Sequence, residues 1–241
     1  MPRKKYQKIS ELKTFANVLQ PAKPKRINWH AIFSNDRPLI LELGCGSGVY
    51  TRELAKLFLK KNFVGVDTKG ARLWQGAKIA LADNLTNVHF LRARVENIES
   101  YFALLPLAKG EAGRGSVSQI WLTFPDPFPK KRQAKHRLTA PKFLEMYKKI
   151  LAPGGELHLK TDDLNLLNYS VETLINAGFR VTEIINNLYV FPVLSFPPAL
   201  PRGRRKRESR KKTNEILYIQ TVYEKKHLAQ GKQIHYLKAM R

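Results

Sequence analysis

Two short stretches of this chain carry residue types that do chemistry, each at the end of an apolar run. The first is Glu42-Leu43-Gly44-Cys45-Gly46-Ser47-Gly48, which a segment of helical spacing follows. Glycines at such a junction permit a tight turn and let a ligand approach bare backbone. The dinucleotide fingerprint needs its third glycine at position 49, but Val49 stands there and the glycine comes one residue earlier. That spacing counts against NAD, and the loop reads as a nucleotide-type binding loop, the plainer alternative being a structural turn of the kind α/β proteins also carry without a ligand. Asp67, at the end of the next apolar run, is placed to accept hydrogen bonds from ribose hydroxyls. No base adjoins Cys45 in sequence, so it reads as a small packing residue rather than a nucleophile.

The second stretch is Phe124-Pro125-Asp126-Pro127-Phe128-Pro129-Lys130-Lys131-Arg132, followed by Lys135, His136 and Arg137. Prolines at alternate positions exclude a helix and are expected to hold the residues before them extended, giving a stiff loop. Asp126 then sits at the carboxyl end of a central strand, where doubly wound sheets bind their ligands. A carboxylate beside clustered cations suits a site that grips phosphate and reads a base. A solvated charged face is the plainer alternative for Lys130 to Arg137, and a core or lid aromatic for Phe128.

The elements that position these groups alternate. Strands are expected at Pro38 to Leu43, Asn62 to Asp67, Val88 to Arg92, Ser118 to Phe124 and Glu156 to Thr161. Helical spacing fills Tyr50 to Lys61, Arg72 to Asn84 and Pro141 to Leu151. Such alternation implies βαβ units and a parallel sheet covered on both faces. Phe179 to Ile185 and Ile216 to Val222 complete an expected seven strands, separated by a proline-rich stretch, Phe191 to Pro201, and a basic run, Arg202 to Lys212. Pro153-Gly154-Gly155 and Gly178 read as punctuation between helix and strand, and Gly110 to Ser116 as a surface loop.

The chain has 241 residues, enough for one sizeable core. One domain is expected over 31–241, with a basic extension at 1–30 and a basic insertion at about 202–212. Lys and Arg number 43 against 19 Asp and Glu, a net charge of +24 that is most easily understood with a polyanion as partner. Nucleic acid fits better than a membrane, for which no amphipathic basic helix or lipidation signal is evident. A single cysteine excludes an internal disulfide and a multi-cysteine zinc site, and no metal is expected. With no apolar leader or membrane-spanning run in the sequence, a cytoplasmic protein is expected, monomeric or homodimeric.

These residues resemble the bacterial tRNA (guanine-N7-)-methyltransferases, from about Phe15 to Leu237. The glycine loop is similar to that of class I methyltransferases generally. Phe124 to Arg132, Lys160-Thr161-Asp162 and Thr221-Val222-Tyr223-Glu224-Lys225-Lys226 resemble motifs of the family itself. The resemblance implies a Rossmann-like class I methyltransferase fold, an α/β sheet of seven strands with the last antiparallel. It implies S-adenosylmethionine as cofactor, and as substrate tRNA at guanosine 46 of the variable loop. Asp126 matches the catalytic position. Glu42, Gly44, Gly46, Gly48, Asp67, Arg94 and Asp126 match cofactor-binding positions, Asp67 standing where many members have Glu. Arg94 stands where members often carry an acid, so contact through its backbone is expected there. Lys130, Asp162, Thr221, Val222, Tyr223 and Glu224 match substrate-binding positions. Phe128 replaces a usual Trp, and Gln133 and His136 replace other residues of the basic motif.

Guanine N7 offers an in-plane lone pair and no proton, so its methylation needs no general base. A carboxylate is useful where positive charge grows on the purine, and it can also accept from the guanine N1 and N2 protons. Asp126, Asp162 and Glu224 are the candidates for reading that edge. The rival functions are methylation of another RNA or of an amide nitrogen, and nonenzymatic RNA binding on the same fold.

Overall fold

The computed structural model describes residues 2–102, 117–189 and 216–241. The expected loop at Gly110 to Ser116, the proline-rich stretch and the basic run Arg202 to Lys212 lie outside them. Eight strands form one sheet: β1 (Val18–Leu19), β2 (Leu39–Leu43), β3 (Asn62–Asp67), β4 (Val88–Arg92), β5 (Val117–Thr123), β6 (Leu151–Thr161), β7 (Arg180–Ile185) and β8 (His235–Met240). Their order is β1-β4-β3-β2-β5-β6-β8-β7. Every residue of β2 and β3 is buried, as two-sided coverage of a parallel sheet requires. Among the described strands only β8 runs antiparallel, inserted between β6 and β7 with Leu159 opposite Leu237 and Ile184 opposite Leu237. This is the arrangement the resemblance implies.

The helices are α1 (Pro2–Glu11), α2 (Trp29–Phe33), α3 (Val49–Leu57), α4 (Gly70–Ala82), α5 (Ile98–Phe102), α6 (Pro141–Ile150), α7 (Leu164–Asn176) and α8 (Val222–Ala229). Residues of α2, α5, α6 and α7 pack in one core layer, and residues of α3 and α4 in the other. No helix among the described residues is long and apolar enough to cross a membrane.

Three expectations need correction. The sheet has eight strands rather than seven, because Val18–Leu19 adds a parallel edge beside β4, a pairing too short to leave a periodic signal. Ile216 to Val222 is not a strand. Ile216, Leu217 and Ile219 pack in the core layer that holds Tyr50, Trp121 and Tyr236, and Thr221 caps α8 through a reciprocal capping box with Glu224. The last strand is His235–Met240, which Lys238 interrupts in sequence. Thr221 and Glu224 have the Thr-x-x-Glu spacing of a helix start, a signal that outranked the apolar run.

Pro153-Gly154-Gly155 follows the end of α6 as expected, but as a register shift inside β6 rather than before it: Val117 pairs with Leu151, then Gln119 with Glu156. Within 1–30, α1 lies along α4, where Trp74 Nε1 donates to Glu11 at 2.9 Å and Leu12 is fully enclosed.

Candidate active site

Asp67 ends β3, and the glycine loop, Arg94, Asp126 and Asp162 follow β2, β4, β5 and β6, all at the carboxyl ends of the strands. The strand order reverses between β2 and β5, so these ends diverge into a crevice. A cavity of about 940 Å³ occupies it, large enough for a nucleoside with a side chain. Glu42, Gly44, Gly46, Asp67, Arg94, Asp126, Asp162, Thr221, Val222 and Tyr223 line it. The structure thus gathers ten of the sequence-derived site residues. Gly48, Lys130 and Glu224 are not in the lining.

The loop's backbone is held from both sides. Gly44 and Cys45 amides donate to the Val66 carbonyl at 2.8 and 3.1 Å, and the Gly46 amide donates to Asp67 Oδ2 at 2.8 Å. At Gly46, φ is +58° and a Cβ would meet nothing within 4 Å, so the bare face opens on the cavity. At Gly48, φ is +61° and a Cβ would stand 2.3 Å from the Phe90 ring, so this glycine serves close packing at the start of α3. Cys45 is buried against the same strands, and burial, then the nearby Glu42 and Asp67, push its thiol well up, which disarms it as a nucleophile.

Glu42 stands at the floor. Its Oε2 accepts from the Thr51 amide at 2.9 Å and from the Thr51 hydroxyl, and its Oε1 accepts from Thr123 Oγ1. Burial raises its pKa, and the threonine hydrogen bonds oppose that rise. Asp67 accepts the Lys69 amide through Oδ1 at 2.7 Å, so each of its oxygens keeps acceptor capacity, and the residue lines the crevice. Thr51 and Thr123, which tie Glu42 to α3 and β5, carry no signature in sequence beyond their positions.

On the opposite wall Asp162 is neutralised. Its Oδ2 lies 2.6 Å from both Lys232 Nζ and His227 Nδ1. Burial would raise its pKa, but Lys232 and His227 hold it below the usual carboxylate range. Glu224 faces inward instead: it is fully buried and pairs with the equally buried Lys160 at 2.7 Å, while Tyr189 donates to it at 2.8 Å. Lys160 Nζ also donates to the Leu217 and Ile219 carbonyls. Lys160 thereby pins the segment before α8 to β6, and Glu224 places Thr221, Val222 and Tyr223 on the cavity wall. Tyr223 is half exposed, with the Arg72 guanidinium 5.9 Å from its ring.

Asp126 differs from all of these. Its side chain is exposed to the crevice and has no hydrogen-bond or ion-pair partner among the described residues. Its loop is not uniformly extended as expected: Phe124 and Phe128 have φ of +51° and +44°. Proline disfavours the right-handed helical region for the residue before it, and these two turn into the left-handed one, at a cost on the order of 1–3 kcal/mol each. The Phe124 amide nevertheless keeps its bond to the Lys160 carbonyl at 2.8 Å. Of the basic cluster, Lys130, Lys131, Arg132, Lys135 and His136 are exposed, whereas Arg137 is buried.

A Rossmann-like sheet with one antiparallel insertion, and a glycine loop beside an acidic strand end at its switch point, defines a class I methyltransferase fold. Solved structures share it: the 16S rRNA methyltransferase KamB superposes with a TM-score of 0.58 at 13% identity, over 88% of this chain and 91% of that one. An antibiotic-related methyltransferase does so with a TM-score of 0.57 at 16% identity, over 88% and 92%. Residues 36–189 match the family model described as "Putative methyltransferase". The tRNA (guanine-N(7)-)-methyltransferase of Cytophaga hutchinsonii is 36% identical over 99% of this chain and 97% of its own. That of Porphyromonas gingivalis is 42% identical over 89% and 76%, and that of Geobacillus thermodenitrificans 31% over 93% and 89%. The chain belongs to the tRNA (guanine-N(7)-)-methyltransferase family.

Proposed function

We propose that this enzyme transfers the methyl group of S-adenosylmethionine to N7 of a guanine in tRNA, guanosine 46 of the variable loop. The observation that carries the reading is Asp126, a carboxylate with no partner among the described residues, on a stiff loop across the crevice from a bare glycine turn. The donor fits the residues present: the open face of Gly46 admits a ligand chain against backbone, and Asp67 has free lone pairs for ribose hydroxyls. Glu42, fixed by Thr51 and Thr123, supports the loop from beneath, and Arg94, which lines the crevice, is assigned to the donor's adenine through its backbone.

When bound, the donor supplies a methyl group already activated on a sulfonium. Asp126 then needs to move no proton. It faces the purine and interacts more strongly as positive charge grows there, which lowers the barrier. Three carboxylates are candidates for reading the guanine N1 and N2 protons. Glu224 is spent on Lys160 and Asp162 on Lys232 and His227, so Asp126 is the acceptor best able to do so. His227 lies 2.6 Å from Asp162, and its ring stacks on Phe124 at 5.8 Å. Lys130, exposed at the end of the proline loop, grips a phosphate beside the site.

Calorimetry is expected to show S-adenosylmethionine binding and no NAD binding, and labelled donor with total RNA is expected to mark guanine N7 in tRNA. Tight NAD binding without donor binding, or label on ribosomal RNA alone, overturns the reading. The basic stretches Arg3 to Lys8 and Arg202 to Lys212 are assigned to phosphate binding without sequence readout. Neutralising Arg204, Arg205, Lys206 and Arg207 together is expected to weaken tRNA binding and flatten its salt dependence, by about 0.7 to 0.9 in slope for each phosphate no longer neutralised. Unchanged affinity and slope would remove that run from the interface.

A further inference from the structure

Arg137 stands apart from the cations around it. The side chain turns back under the proline loop, where Nε donates to the Pro127 carbonyl at 2.9 Å and an Nη donates to the Phe128 carbonyl at 3.1 Å. Its guanidinium carbon lies 4.4 Å from the ring centroid of Tyr169 on α7. Its own backbone is anchored where the turn Lys131–His136 meets α6: its amide donates to the Ala134 carbonyl and its carbonyl accepts from Ala140. The two carbonyls it holds directly follow Asp126, and one belongs to a residue with positive φ.

We propose that Arg137 is a positioning residue for methyl transfer, a clamp that holds the strained loop in the one shape that aims Asp126 at the purine. The proposal rests on the catalytic reading of Asp126. A loop with two left-handed pre-proline residues relaxes unless outside bonds over-determine it. The planar fork supplies two such bonds from one rigid group, and the Tyr169 ring fixes the plane of that group. A lysine ammonium on a shorter reach cannot reproduce both bonds in that geometry. The placement also explains why a cation in a phosphate-binding cluster is withdrawn from solvent: it binds the protein's own carbonyls.

Single-turnover methylation at saturating donor and tRNA tests this, with both dissociation constants and Tm measured beside it. Arg137→Ala is expected to lower the rate by about tenfold to a hundredfold, the scale of a misplaced reacting group, with both affinities within about twofold. Arg137→Lys is expected to recover part of the loss, and Tyr169→Leu, which keeps every charge, to lose a smaller part. In an Asp126→Asn background, Arg137→Ala is expected to add less than about twofold, because the clamp has nothing left to aim. A purely structural role predicts instead a lowered Tm and an equal fractional loss in both backgrounds. A normal rate in Arg137→Ala, or losses that multiply in the double variant, overturns the proposal. Should Arg137→Ala fail to fold, Arg137→Lys and Tyr169→Leu carry the same comparison. Asp126→Asn alone reports on the catalytic reading, so the two failures are separable.

Discussion

Replacing Asp126 with Asn is expected to lower the single-turnover rate at saturating donor and tRNA by about 100-fold to 1000-fold, the range found when one preorganised electrostatic group is removed from a reacting centre. The substitution keeps the size and removes the charge. The charge matters because no other described residue neutralises Asp126 and because the purine becomes cationic only as the bond forms. Affinity for tRNA is expected to change far less, since the bonds Asp126 accepts from the neutral guanine are a small part of an interface held mainly through phosphates. Lys130→Ala is the contrasting variant. Its exposed ammonium is assigned to phosphate, so its loss is expected in tRNA affinity and to vanish at saturating RNA. Donor affinity belongs beside both measurements, because Asp126 also lines the shared cavity. An Asp126→Asn enzyme with a near-normal rate under saturation would falsify the catalytic assignment and leave positioning to carry the reaction.

The second large effect is on stability. Lys160→Met is expected to destabilise the fold by about 3–5 kcal/mol, the usual consequence of leaving a buried charge without its partner. For a chain of this size that lowers Tm by about 6–20 °C. Glu224 then keeps only the Tyr189 hydroxyl and its own capping bonds inside the protein, and the Leu217 and Ile219 carbonyls lose their donor. The double variant Lys160→Met with Glu224→Leu is expected to regain part of the loss, since a buried ion pair is often replaceable by apolar groups of similar volume. Thermal melts of the two singles and the double check this. A Glu224→Gln protein with an unchanged melt and weakened tRNA binding would return Glu224 to the substrate face that its motif suggested.

The parallel half of the sheet was legible because its strands are short apolar runs bounded by glycine, proline and acidic residues, and β3 and β4 were bounded correctly from that alone. The crevice was legible for the same reason, since loops after alternating strands must share one end. The region from Ile216 onward was not. There an apolar run fills space around Lys160 rather than pairing in the sheet, and the true strand, β8, carries a lysine in its middle. Side-chain direction was the other missing quantity. Lys130 and Arg137 look alike in a run of cations, yet one faces solvent and the other the backbone of its own loop. Likewise Asp126, Asp162 and Glu224 are equivalent acids on paper, and only their partners tell them apart.

The antiparallel insertion carries a consequence for chains that are cut short. Among the described strands β7 has no neighbour except β8, and the two are separated in sequence by α8 and the whole stretch before it. A nonsense codon between Ile185 and His235 therefore removes β8, leaving β7 without its partner and β6 paired only to β5, with one edge of each facing a gap. Such a fragment keeps the glycine loop, Asp67 and Asp126, yet presents two raw edges that invite pairing with other chains, so partial products of this gene are candidates for aggregation and disposal rather than for residual activity.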